Sequence, residues 1–119
     1  MKVQLENVKP MDIEKRSFEI ITEELGYALP EKEAPIIKRC IHTSADFDYA
    51  ENLCFSEDVV EKALKALKNG ACIVTDTQMA KSGINKKALA KYGGEVYCFM
   101  SDEDVAETAK KNGTTRATA

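Results

Sequence analysis

One histidine occurs in the chain, His42, inside the stretch RCIHTSADFDYAENLCF at residues 39–55. Imidazole titrates nearer neutrality than any other side chain, so His42 is the residue best suited to give up a proton as a general acid. Arg39 and Asp46 are the nearby charges that would tune it. The competing reading is a structural or surface histidine that simply finishes the apolar run before it. A lone histidine cannot assemble a metal site, and the four cysteines form no CxxC pair, so no metal is expected.

Other side chains suited to chemistry sit after apolar runs. Asp76 lies between two threonines in TDTQM, and Asp102 and Asp104 lie in MSDED. Open parallel sheets bind ligands beyond the carboxyl ends of their strands, which favours both loops. A turn or helix-capping aspartate is the alternative for each. NGTTR offers two hydroxyls and a guanidinium after a glycine, a clamp for carboxylate or phosphate, or equally a surface turn. There is no Gly-rich phosphate loop, GxSxG or HExxH, so nucleotide hydrolysis, serine hydrolysis and zinc proteolysis lose support.

These residues need elements to position them. KPMDIEKRSFEIITEELGY predicts a first helix with an apolar stripe of Ile13, Phe18, Ile21 and Leu25. Ser17, Ile20 and Glu24 form a more polar face beside that stripe, and Gly26 is a natural stop. APIIKRCIHTSAD predicts a second helix with Pro35 in its first turn, which would place Arg39, His42, Thr43 and Asp46 on one face. Further on, NLCF, ACIVT and EVYCFM read as strands, with ACIVT covered on both faces. Between and after them, SEDVVEKALKALKNG, NKKALAKYGG and SDEDVAETAKKNG read as helices. Val60, Ala63, Leu64 and Leu67 form the expected buried stripe of the first of these. Strand–helix alternation at this spacing predicts an α/β fold with a parallel sheet. Each cysteine lies in an apolar run and is expected in the core.

The chain has 119 residues, the size of one ordinary domain, with 44% hydrophobic and 31% charged residues. Its net charge of −3 and interspersed charges argue against nucleic acid as a partner. No apolar run suits a membrane span, and the N-terminus lacks the apolar core of a signal peptide, so a cytoplasmic location with reduced thiols is expected.

DIEKRSFEII, RCIHTSADFD, LCFSEDVVEKAL, GACIVTDTQMAKSGI, VYCFMSDEDVAETA and GTTRA follow one another in an order and spacing that resembles the precorrin-8X methylmutases. That family includes the cobalt-precorrin-8 methylmutases of the anaerobic route to vitamin B12. The resemblance implies an isomerase that moves a methyl group from C-11 to C-12 of a corrin macrocycle, giving hydrogenobyrinate or cobyrinate without a separate cofactor. It implies a flavodoxin-like three-layer α/β/α fold acting as a homodimer, with the corrinoid near the subunit interface. His42 matches the family's general acid. Ser17, Arg39, Thr43, Asp76, Met79, Thr115 and Arg116 match substrate-pocket positions. A corrinoid has a broad apolar face and a rim of carboxylates, which isoleucine, methionine, hydroxyl and arginine side chains suit. Family members continue well past the TTR block, so residues 1–119 are expected to be the N-terminal portion of a single methylmutase domain with an incomplete sheet. Two other readings are a corrinoid- or tetrapyrrole-binding module without turnover, and a flavodoxin-like domain used for protein interaction.

Overall fold

Pro10 fixes its own φ and opens a single 3-10 turn, Pro10–Asp12, that leads directly into helix α1, Ile13–Leu25. The computed structural model describes residues 3–119, which part into two compact units, one ending at Val60 and the other beginning at Glu61. Gly26 closes α1 in the left-handed conformation, its N–H reaching Thr22 C=O, as the sequence predicts. Pro35 sits in the first turn of α2, Ala34–Ser44. Ile21 of α1 packs with Ile37 and Ile41 of α2 to make the core of the first unit. Ile41 is the most deeply buried large side chain among the described residues, at 2% exposure. Phe18, Leu25, Phe47, Leu53 and Phe55 surround this centre.

Two expectations fail in this unit. The second helix does not run through Asp46: Ala45 turns left-handed at φ 57° and ends it. Ser44 Oγ donates to Cys40 C=O at 2.7 Å and accepts from the Asp46 N–H at 3.1 Å, so local hydroxyl bonds compete with helix propagation. Asp46 Oδ1 then accepts from the Asp48 N–H at 3.0 Å, forming a turn into the short helix α3, Tyr49–Asn52. NLCF is the second correction. Its residues beyond α3 form no strand ladder. Leu53 and Phe55 face the core while Cys54 is exposed, so the period of two is genuine but among the described residues the segment has no partner strand.

The second unit follows the predicted order with shorter strands. Helix α4, Val59–Lys68, starts three residues after Ser56, and the Val59 N–H closes the intervening turn on Ser56 C=O at 3.2 Å. Its expected apolar stripe is not buried: Leu64 is 52% exposed. Strands β1, Ile73–Val74, and β2, Val96–Tyr97, pair in parallel with Ile73 opposite Val96 and Val74 opposite Tyr97. Among the described residues the sheet therefore has two strands, not three. β1 is not covered on both faces, because Val74 is 64% exposed. Helices α5, Gln78–Gly83, and α6, Lys86–Ala90, lie between the strands, and α7, Glu103–Asn112, follows them. Side chains of Thr77 and Asn85 cap α5 and α6, accepting from the N–H groups of Ala80 and Ala88 at 3.0 Å each. Gly94 is buried, and an added Cβ would lie 2.7 Å from Ala71 C=O and 2.9 Å from the Leu89 side chain, so this close approach needs glycine. The cysteines divide: Cys98 is buried and Cys40 half-buried, while Cys54 and Cys72 are exposed, against the expectation of a core role for all four. The α/β class stands, with helices predominating over a small parallel sheet.

Candidate functional site

Ser17 precedes Ile21 by one helical turn, and His42 directly follows Ile41. Burying Ile21 beside Ile41 therefore brings their polar neighbours together. His42 Nδ1 and Ser17 Oγ are 2.7 Å apart. One turn away along the same helix pair, Arg39 Nη2 bonds Glu14 Oε1 at 2.5 Å. Two polar contacts thus bridge α1 and α2 above the apolar core.

His42 and Ser17 open onto a cleft of about 480 Å³ in the first unit. Its walls are mainly apolar, with Ile13, Ile20, Ile21, Ile41 and Phe47 prominent, and Glu6, Arg16 and Glu24 supply the charges. The face of Ser17, Ile20 and Glu24, which the sequence sets beside the apolar stripe of α1, lines this space. Phe18 meets the His42 ring edge-to-face at 6.2 Å between centroids and 70° between planes, which limits ring rotation. With Ser17 accepting from Nδ1–H of the imidazolium, Nε2–H is the position left for proton donation. The same Nε2–H form exists in the neutral ring when Ser17 donates.

Arg39 and Thr43 face elsewhere. They border a separate shallow depression with Cys40, Ser44 and Tyr49, and Thr43 Oγ1 donates to Arg39 C=O at 2.9 Å. Asp46 leaves the helix face altogether. The sequence grouping of Arg39, His42, Thr43 and Asp46 is thus replaced by a pairing of His42 with Ser17. Arg16 and Phe47 also line the His42 cleft and were not predicted there. Adjacency to Ser17 was the available signal for Arg16; Phe47 gave none, because its place depends on the turn after Ala45.

The second unit carries its own depression of about 400 Å³ at the carboxyl ends of both strands. Thr75 and Asp76 after β1, Phe99, Met100 and Asp102 after β2, and Arg116 line it. Arg116 Nη1 donates to Met100 C=O at 3.1 Å, tying the post-helix turn to the end of β2. Thr115 Oγ1 is 3.0 Å from Thr118 Oγ1. Met79 is 85% exposed and lies outside that lining. Asp102 precedes α7 without a side-chain capping bond, while Asp104 accepts from the Val105 N–H at 2.9 Å. Among the described residues no group of three or more histidine, cysteine or acidic side chains is arranged to hold a metal ion. Nor is any helix long and apolar enough to cross a membrane.

The family model for precorrin-8X methylmutase matches residues 12–119, a span that includes His42, Ser17, Asp76 and Arg116. The chain belongs to the precorrin-8X methylmutase family. It is similar to the cobalt-precorrin-8 methylmutase of Priestia megaterium, with 44% identity over 111 residues, covering 92% of this chain and 49% of that protein. Identity to the cobalt-precorrin-8 methylmutase of Salmonella typhimurium (strain LT2) is 46% over 118 residues, covering 93% of this chain and 56% of that one. In three dimensions it resembles precorrin-8x methyl mutase from Thermus thermophilus, with a TM-score of 0.77 and 38% identity over 90% of this chain and 52% of that chain. The chain spans about half the length of the curated relatives it matches.

Proposed function

We propose that this chain is the N-terminal portion of a single methylmutase domain whose whole protein isomerises precorrin-8X or cobalt-precorrin-8 in cobalamin biosynthesis. The methyl group moves from C-11 to C-12 of the macrocycle, giving hydrogenobyrinate or cobyrinate. The single observation that carries the mechanism is the Ser17–His42 contact at 2.7 Å beside an apolar cleft, in a chain of this family.

The chemistry asked of the protein is small. A methyl shift within one molecule needs no separate nucleophile, so the macrocycle must be held in one orientation and its electron demand at C-12 raised. His42 serves as general acid, protonating the macrocycle. Ser17 fixes the imidazole so that its proton donor is presented in one direction. The apolar walls hold the face of the ring. The family resemblance supports Arg39, Thr43, Asp76, Met79, Thr115 and Arg116 as further substrate-binding positions, the arginines and hydroxyls suited to carboxylates and Met79 to an apolar ring face. The domain completes a flavodoxin-like three-layer sandwich and works as a cytoplasmic homodimer.

Incubating the full-length protein with cobalt-precorrin-8 or precorrin-8X and following the visible spectrum tests this reading. Product formation without an added cofactor is expected. Corrinoid binding with no turnover would favour a binding module instead, and absence of both would favour an interaction domain.

A further inference from the structure

Arg16 supplies the cationic side chain of the His42 cleft, whose other charges are the carboxylates of Glu6 and Glu24. Arg39, the other arginine on this helix pair, is engaged with Glu14 and borders a different depression. Arg16 Nε binds Glu6 Oε1 at 2.8 Å, and Nη1 reaches Glu19 Oε2 at 3.4 Å. Glu6 belongs to residues 3–9, which have neither helix nor strand. The two side chains are 34% and 57% exposed, so water screens the pair and exchanging its acid for another costs little. A guanidinium has five donors, and a planar carboxylate is its best-matched partner.

Resting on the methylmutase reading above, we infer that Arg16 recognises a peripheral carboxylate of the corrinoid at the His42 cleft, with Glu6 occupying that place until substrate displaces it. Arg16 immediately precedes Ser17, so one turn of α1 carries both the rim contact and the group that orients the acid. The apolar walls then receive the ring face, and the Glu6 segment moves aside as the substrate carboxylate takes its bond.

The test titrates the full-length protein with cobyrinic acid and with its heptamethyl ester, which keeps the corrin but has no free carboxylate. Arg16→Gln is expected to weaken cobyrinic acid binding about tenfold, toward the affinity of the ester for the unmutated protein. Arg16→Lys recovers part of the loss, and Glu6→Gln tightens acid binding by removing the competitor. Circular dichroism melts of each variant establish that it is folded. Unchanged acid binding by Arg16→Gln overturns the inference while leaving the methylmutase reading intact, as does equal weakening of acid and ester. Failure of the unmutated protein to bind either corrinoid overturns both.

Discussion

Ser17 Oγ lies 2.7 Å from His42 Nδ1, joining the first helix to the second directly above the Ile21–Ile41 core. The contact gives the only imidazole in the chain a fixed orientation through a partner 25 residues away. A general acid depends on where its proton points as well as on whether it carries one.

Ser17→Ala is therefore expected to lower the turnover number about tenfold while leaving product affinity within a factor of two or three, because orientation is lost and the ring remains. Ser17→Thr, which keeps the hydroxyl, recovers most of the rate. Steady-state kinetics of the full-length protein separate the two parameters. A purely structural serine would change the melting temperature without this split.

The core beneath the pair sets its geometry. Ile37→Ala removes a buried side chain outside the cleft and is expected to destabilise the first unit by about 3 kcal/mol, read as a lower denaturant midpoint. Ile37→Val should cost about 1 kcal/mol. Equal midpoints for Ala and Val would contradict the packing described.

Ala45 holds φ 57°, a conformation that L-residues other than asparagine and aspartate rarely adopt. Ala45→Gly is expected to stabilise the protein by roughly 0.5–1 kcal/mol, offset in part by the greater freedom of glycine in the unfolded chain. A lower midpoint would show that the Ala45 methyl contributes packing along the cleft it lines.

In the second unit the Tyr97 hydroxyl donates to Glu95, and this bond, with the nearby carboxylate charge, raises the tyrosine pKa above its ordinary value. Because the folded value is raised, any stability from this pair is fully present below the unfolded pKa of tyrosine. It is lost as pH rises through the folded value. An ultraviolet absorbance titration should show one tyrosine ionising late, and Glu95→Gln should bring it earlier.

Much of this architecture was legible in the sequence because it depends on local chemistry. Gly26, Pro35, Asn85 and the alternating apolar runs mark the ends of elements by capping and dihedral preference. The errors share another origin. Whether Leu53–Phe55 joins a sheet depends on a neighbouring strand. Whether Leu64, Val74 and Cys72 are covered depends on what packs over them. Neither is encoded in the segment itself. Helical spacing also placed Asp46 beside His42, but hydroxyl bonds at Ser44 end the helix at that residue, before Asp46 is reached. The Ser17–His42 contact required knowing that Ile21 meets Ile41, a tertiary fact that periodicity alone does not supply.

The central claim is that His42 is the proton donor for methyl migration, and the most direct measurement compares turnover of cobalt-precorrin-8 by the full-length protein with and without His42→Gln. The account predicts conversion by the unmutated protein and a loss of about a hundredfold or more in the variant, with product binding retained. Conversion by the variant at the unmutated rate would contradict it.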